Sequence, residues 1–518
     1  KSPLRLKLKQ AAKEEYYSLV EDKVWTLITP PPAANICGSR WVFKTKYKAD
    51  GSVGRYKAHF VAQGFSQLPG IAYVDTYAPV CRFSSVRAIL ALASNISLGS
   101  APQLALRQVD IKTAFLQSVL RDVTIYVRQP EGFKKTAKDG SRLVCLLKRS
   151  LYGLKQSPRL WHATLHAFLL DAGLVPSRID PCVYIKRGKT SDLPDLLMSI
   201  YVDDLLISGA NPSAVEDLLK SMQTRFDTQD LGAATYLLGM EIKHNRDLRT
   251  LHLNQKKFAD DILHRSGMDS CNSVPTPGDC DNFHPVGQTL LDSNDHSTYR
   301  EIVGSLLYLC RLTRPDISYA VMQLSRVVSK PYAVHMAAAK RLHRYLKGTI
   351  ALGIKYLGTA KSTPAPVLEG CCDADNGGDT ATRKSCTGYT FFLAQGPIVW
   401  YSKLQSLVAQ SSTESEYFAL AHAGNEAVYL RDLLESLGAK QKISTTIYED
   451  NQSADRLARS EGWSSRTKHI AVFYHRIRQL LADNTVELEH IGTLSQRTDC
   501  LTKQLKGVHF RSLRELLM

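Results

Sequence analysis

The sequence predicts a multidomain protein of mixed α/β and α+β class, and three observations carry that prediction. The chain has 518 residues, beyond the roughly 250 to 300 at which one hydrophobic core stops growing. From about residue 21 to 265 short apolar strands alternate with helical periods, the pattern of an α/β or α+β body. Two polar stretches then interrupt the pattern, one from Ser266 to Ser297 rich in Pro, Gly, Asn and Asp (SGMDSCNSVPTPGDCDNFHPVGQ) that reads as a loop or linker, and STPAP before residue 367, after which strand and helix signals resume to the end.

These breaks divide the chain into an N-terminal extension over 1–20, a main body over 21–265, a helical region over 266–348, a connector over 349–365 and a C-terminal domain over 366–518. The helical region should hold two helices. The second, from Tyr332 to Lys347, sets Val334, Ala338, Leu342 and Tyr345 on one face and Lys340, Arg344 and Lys347 on another, with Gly348 as its stop. That cationic face suits solvent and nucleic acid equally well. No period of 20 to 50 residues marks a solenoid or propeller.

Hydrophobic residues make up 44% and charged residues 22% of the chain, which excludes disorder, coiled coil and collagen-like fibre. Lys and Arg number 66 against 49 Asp and Glu, and 66 − 49 gives a net charge of +17. Such an excess suits a polyanionic partner, because phosphate contacts release condensed counterions. The eleven cysteines contain no CxxC pair or zinc-knuckle spacing, so neither a disulfide framework nor a zinc site is expected, and a reducing intracellular compartment fits. No apolar run reaches the roughly 18 residues of a membrane span, so no membrane partner is expected. The start, KSPLRLKLKQ, has neither a secretory apolar core nor an initiator Met, which suggests a fragment or processed product.

The segment LLMSIYVDDLLISG, residues 196–209, is two apolar runs broken by Asp203 and Asp204, and predicts a hairpin with acids at its tip. An Asp pair alone would also suit a solvated turn. Asp110, in ALRQVDIKTAFLQ, ends an apolar run before a helix-like stretch near Thr113, where a helix cap is the alternative. Phosphoryl transfer from a nucleoside triphosphate needs carboxylates converging on metal ions about 3.5 to 4 Å apart, and these three acids supply such ligands.

Four more acids lie in the C-terminal segments GCCDADNGG, AQSSTESEYFALAHA, IYEDNQSADRLA and QRTDCLTKQL: Asp373, Glu416, Asp450 and Asp499. Singly, each has a structural alternative. Thr413 and Glu416 fit a capping box, Asp450 could cap a helix after a strand, and Asp499 could favour a helix N-terminus. As a set in the order Asp, Glu, Asp, Asp, they match what metal-assisted phosphodiester hydrolysis requires.

YVDD, VDIKTAFLQ and LKRSLYGLKQSPRLW at 147–161 resemble the catalytic motifs of copia-type LTR retrotransposon reverse transcriptases, in the same order. RWVFKTKYKADGSVGRYKAHFVAQGF, QPEGF at 129–133 and YREIVGSLLYLCRLTRPDISYAV at 299–321 extend the resemblance. RKSCTGY, IVWYSKLQSLVAQSSTESEY, EDNQSA and RTKHI resemble the ribonuclease H of the same elements. The resemblance implies a right-hand polymerase of fingers, palm and thumb followed by a ribonuclease H-like domain. It makes Asp110 and Asp203 direct metal ligands and Asp204 a less direct one, with Asp373, Glu416, Asp450 and Asp499 as ligands of the second site, two Mg²⁺ at each and Mn²⁺ as an alternative ion.

It further implies that Phe115 lies beneath the sugar, where its bulk would meet a ribose 2′-hydroxyl, and that Lys44, Arg55 and Lys57 grip the triphosphate. Gly153, Lys155, Gln156, Ser157 and Pro158 would pack under the templating base, and YLLGMEIKH at 236–244 would form the primer grip. Two positions depart from the family pattern: His59, where relatives often carry a basic residue, and Asn376, where Trp is usual. His490 is a candidate for assisting product release, against a plain surface histidine.

The implied partners are an RNA template, RNA–DNA hybrid, DNA primer and dNTPs, with other Pol and Gag products, in cytoplasmic virus-like particles or alternatively the nucleus. Neither an integrase HHCC pattern nor an aspartic protease motif occurs, so the chain is expected to be part of a larger polyprotein. Rival readings are an inactive relic that only binds nucleic acid, and a ribonuclease H whose first part is a binding platform.

Overall fold

Apolar strands lay down two sheets that carry the acids, and smaller elements pack around them. The computed structural model describes residues 3–47, 53–95, 105–121, 123–188, 194–209, 211–278, 289–358, 366–460 and 472–518. The RTKHI motif at 466–470 lies outside the described residues, as do parts of the two expected linkers.

The first sheet has six strands in the order Thr228–Ala233, Ala105–Ile111, Asp204–Gly209, Pro194–Tyr201, Val183–Arg187 and Val175–Pro176. Its central pair, Pro194–Tyr201 and Asp204–Gly209, is buried on both faces, which is why LLMSI and LLIS are near-continuous apolar runs rather than alternating ones. The helix Phe83–Asn95 shares this core. Its residues Ala88 to Ala93 are all at most 1% exposed, and it also packs on the C-terminal strand Gly396–Leu404, so it needs apolar residues all round.

Beside this sheet stands the hairpin Ser39–Tyr47 with Val53–Ala62, next to a four-stranded sheet of Trp25–Ile28, Val144–Leu147, Tyr126–Val127 and Ile36–Cys37. The expected N-terminal extension is the helix Pro3–Glu21, and its Ala11 and Ala12 pack against Ala58 of the hairpin.

The helical region contains three helices rather than two: Ser293–Leu312, Ser318–Arg326 and Ala333–Gly348. The first begins inside the stretch expected to be linker, because Asp292 caps it by accepting from the Asn294 and Asp295 amides. Tyr299, Leu306, Leu342 and Leu346 form its shared core. On the last helix His335, Met336, Ala339 and His343 are buried as well, so the inward face is wider than the apolar pattern alone indicates. Arg344 of the expected cationic face donates to the Asn272 carbonyl. The connector also differs from expectation: Gly353–Leu357 is a strand that pairs with Thr250–Asn254 and closes a sheet with Tyr236–Leu237 and Met240–Asn245.

The C-terminal sheet runs Gly396–Leu404, Cys386–Leu393, Glu369–Ala374, Thr445–Glu449, Val486–His490, with its first three strands antiparallel and its last two joined in parallel. The helix Ser412–Ser436 crosses it, buried through most of its first half. Ten described cysteines are free thiols, and no described helix is long and apolar enough to cross a membrane.

Candidate functional site

The hairpin predicted from YVDD forms with Tyr201 paired to Asp204. Its turn holds Val202 at φ 63°, a left-handed conformation that a β-branched residue rarely adopts. Two contacts hold it there. Trp161 Nε1 donates to the Val202 carbonyl at 2.6 Å, and the Ile111 amide donates to the Asp203 carbonyl at 3.2 Å. Backbone strain of this kind persists only where surrounding structure over-determines it, and it concentrates at functional sites.

The turn carries Asp204 directly opposite Asp110 in the antiparallel register, with Asp203 exposed beside them. Asp110 lies inside its strand and caps no helix. Burial, and after it the charges of Asp203 and Asp110, push the Asp204 carboxyl up to about 6: like charges gathered in a partly desolvated place disfavour ionisation.

Phe115 is half-buried and meets Tyr152 edge to face at 5.0 Å. Burial, then the charges of Asp203, Glu15 and Asp110, raise the Tyr152 phenol, which sets both rings close to the acids. The Tyr152 ring also lies 5.3 Å from His59. Arg55 and Lys57 stand four and two residues before His59 and share its strand face, and Lys44 is the register partner of Lys57. Lys44 and Arg55 are exposed and Lys57 half-buried.

Gly153 adopts φ 88°, and a Cβ there would fall 2.1 Å from the Ala62 carbonyl oxygen, so only glycine lets this turn close on the hairpin. Gln156 is buried, donating to the Ala72 carbonyl at 2.8 Å and accepting from Gln67 at 2.9 Å. Lys155 reaches the Tyr73 hydroxyl at 3.0 Å. Gly153 and Gln156 therefore brace the turn. A cleft of about 740 Å³ lined by Tyr73, Gln117, Arg121, Gln156 and Arg159 opens beside it. The 236–244 segment is a hairpin, and Tyr308 ties it near the acids: its hydroxyl donates to the Leu238 carbonyl at 2.8 Å, and burial followed by Tyr201, Tyr236 and Asp204 raises its phenol.

The four C-terminal acids meet. Oxygens of Asp373, Asp450 and Asp499 lie within 4.8 Å of one another, as do those of Glu416, Glu449 and Asp450. Asp450 joins the two sets. Among the described residues, the acids of the first site form no set that tight. Asp373, Glu416 and Asp499 are all buried. Burial, and after it Asp499 and Asp450, push Asp373 up to about 7 against the opposing pull of Lys503. Burial and the neighbouring carboxylates raise Glu416 well above its ordinary range.

The capping alternatives fall to other residues. Ser411, accepting from the Glu414 amide, caps the helix that holds Glu416, and Asn451 caps the helix after Asp450. Asp499 does begin a short helix, Asp499–Thr502, yet its carboxylate faces Lys503 Nζ at 2.7 Å. His490 and Asn376 are exposed, His490 lying opposite Glu449 in register.

Three contributors escaped sequence reasoning. Glu449 is buried, accepts from the Cys372 thiol at 3.1 Å and from the Asn451 amide at 3.2 Å; its adjacency to Asp450 was the available signal. Lys503 supplies the cluster's ammonium, and its spacing four residues after Asp499 was the signal. Trp161 closes the LKRSLYGLKQSPRLW segment, but no local signal marks its bond to the turn, because its partner lies 41 residues away.

These sheets define a class of protein, a right-hand polymerase fold followed by a ribonuclease H-like α/β domain. The foamy viral protease–reverse transcriptase solved in complex with double-stranded DNA has a similar fold, with a TM-score of 0.50 at 13% identity over 94% of this chain and 70% of that one. The reverse transcriptase (RNA-dependent DNA polymerase) family profile matches residues 22–279. The Pol polyprotein of transposon TNT 1-94 from Nicotiana tabacum is 37% identical over 99% of this chain and 38% of its own length. That of transposon RE1 from Arabidopsis thaliana is 38% identical over 97% of this chain and 33% of its own length. A transposon Ty5-1 protein of Saccharomyces cerevisiae is 32% identical over 60% of this chain and 97% of its own length. The chain belongs to the copia-type retrotransposon Pol family of reverse transcriptases, and it spans between 33% and 38% of the length of the two plant Pol relatives.

Proposed function

We propose that this chain is an RNA- and DNA-directed DNA polymerase with an attached ribonuclease H that cuts the RNA of RNA–DNA hybrids. The observation that carries the reading is the presence of two separate carboxylate clusters, one on a strained hairpin opposite Asp110 and one joining four strand and helix ends. Both donor sets suit a hard divalent cation, since gathered carboxylate oxygens are its preferred ligands. Mg²⁺, or Mn²⁺ in its place, would be held by Asp110, Asp203 and Asp204 in one site and by Asp373, Glu416, Asp450 and Asp499 in the other. Bound there, it would activate the attacking oxygen and offset charge on the leaving one.

In this reading the chain's own groups do the positioning. Phe115 and Tyr152 form a wall beside the acids that admits a deoxyribose. Lys44, Arg55 and Lys57 offer cations to the triphosphate, where they oppose charge developing on the leaving phosphates. Gly153, Lys155 and Gln156 brace the template side, and the 236–244 hairpin holds the primer end within attacking distance. The excess of 17 positive charges favours template, primer and hybrid as partners.

The test is primer extension on poly(rA) annealed to oligo(dT) with Mg²⁺, alongside cleavage of a labelled RNA strand annealed to DNA. Both activities are expected from the wild-type chain. Failure to extend with either Mg²⁺ or Mn²⁺ overturns the polymerase reading, and failure to cleave overturns the nuclease reading.

A further inference from the structure

Arg87 is a charged residue at the centre of the molecule with no part in either cluster. It lies on the Phe83–Asn95 helix and is 4% exposed. Its Nε donates to the Ile398 carbonyl at 2.8 Å, and its Nη1 to the Arg311 and Leu312 carbonyls at 2.7 and 3.1 Å. The guanidinium also lies 4.0 Å from the centroid of the Trp400 ring. Trp400 in turn donates its Nε1–H to the Cys310 carbonyl at 2.9 Å.

These partners come from three bodies. Arg87 belongs to the helix packed under the polymerase sheet, Ile398 and Trp400 to the Gly396–Leu404 strand of the ribonuclease H-like domain, and Cys310, Arg311 and Leu312 to the end of the Ser293–Leu312 helix. The last carbonyls of a helix have no intrahelical donor and carry its negative end, so a cation there is well placed. A buried guanidinium satisfied by carbonyls rather than a carboxylate is costly for stability alone, and burial pulls it down to about 10. What the arrangement supplies is geometry: a planar fork bonded to two bodies from a third, sandwiched on an indole. A second contact supports the same junction, with Arg82 lying 4.4 Å from the Tyr429 ring of the Ser412–Ser436 helix.

We infer that Arg87 and Trp400 form a clamp that locks the ribonuclease H-like domain onto the polymerase body and the helical region, and so sets one fixed distance along a hybrid between the point of synthesis and the point of RNA cleavage. The inference rests on the functional reading above. Both are positioning residues: neither touches the acids, and each acts through the relative placement of the two sites.

The experiment uses the full chain as wild type, Arg87→Met and Trp400→Phe, the last keeping the ring but removing the bond to Cys310. A 5′-labelled RNA annealed to a recessed DNA primer reports where cuts fall relative to the primer end, and X-ray scattering reports the spread of overall dimensions without relying on activity. Wild type is expected to cut in one narrow cluster. Arg87→Met should spread the cuts over several positions and raise the radius of gyration, while extension and total cleavage persist; Trp400→Phe should do the same more weakly. Cuts as narrow as wild type together with an unchanged radius overturn the clamp. So does a parallel collapse of extension and cleavage in both variants, since that is loss of fold rather than of spacing. If wild type extends but does not cleave, the nuclease reading fails separately, and the scattering of the two variants decides the clamp by itself.

Discussion

Asp204 faces Asp110 across the register of two adjacent antiparallel strands, and the pairing is locked by the Ile111 amide, which bonds the Asp203 carbonyl. One hairpin turn thus delivers two acids to a third that lies more than ninety residues earlier in the chain. A slip of one residue would send the acids to the opposite face of the sheet.

Asp203→Asn keeps the size of the side chain and removes the charge that would hold a metal. Primer extension should fall to background while hybrid binding, measured by fluorescence anisotropy, persists. Extension at the wild-type rate would sink the site assignment.

Phe115 packs against Tyr152 beside the acids, so Phe115→Ala opens space where a 2′-hydroxyl would collide. Incorporation of rNTPs relative to dNTPs should rise in single-nucleotide extension assays. Unchanged selectivity would leave Phe115 as a packing residue only.

Asp450 joins both sets of C-terminal carboxylates, and Asn451, not Asp450, caps the following helix. Asp450→Asn should therefore abolish RNA cleavage and leave polymerisation intact, followed on one labelled hybrid in one tube. Loss of both activities would contradict the separation of the sites.

Lys503 is the cation of the C-terminal cluster. Burial pulls it down, but the charges of Asp373, Asp499 and Asp450 outweigh this and raise it. In Lys503→Met the carboxylates lose that counter-charge, so the melting temperature in EDTA should drop. Mg²⁺ should restore it by more than in wild type, because a ligand that binds only the native state stabilises it. Equal Mg²⁺ increments in the two proteins, read by differential scanning fluorimetry, would refute the idea.

Arg314 and Asp316 are both nearly inaccessible, bonded through two contacts at 2.8 and 2.7 Å, with the Tyr345 hydroxyl donating to Asp316 at 2.6 Å. Asp316→Asn leaves a buried cation without its partner and should cost about 3 to 5 kcal/mol, read by urea denaturation. Burial pushes the Asp316 carboxyl up, but Arg314 and the Tyr345 bond outweigh it, and the net position lies below the ordinary carboxylate range. A depressed carboxyl adds stability above its unfolded pKa and loses it as pH falls through the folded value. The gap between wild type and Asp316→Asn should therefore be full near neutrality and narrow only in acid below about pH 4.

The sequence by itself determined the mixed α/β class, the hairpin with acids at its tip and the family, because each is written in local signals: apolar periods, turn residues and motifs a few residues long. It could not disclose that Gly353–Leu357 joins the sheet of Thr250–Asn254, since strand partners a hundred residues apart leave no local trace. Nor could it place Trp161, Arg87, Lys503 and Glu449 in the two clusters and their junction, although Glu449 stands next to Asp450 and Lys503 four residues after Asp499. Trp161 and Arg87 act by donating to backbone carbonyls, groups that every residue carries and no motif distinguishes. Glu449 and Lys503 gain their importance from burial among other charges, and burial is decided only when the whole chain has packed, because the energy of a charge depends on what surrounds it.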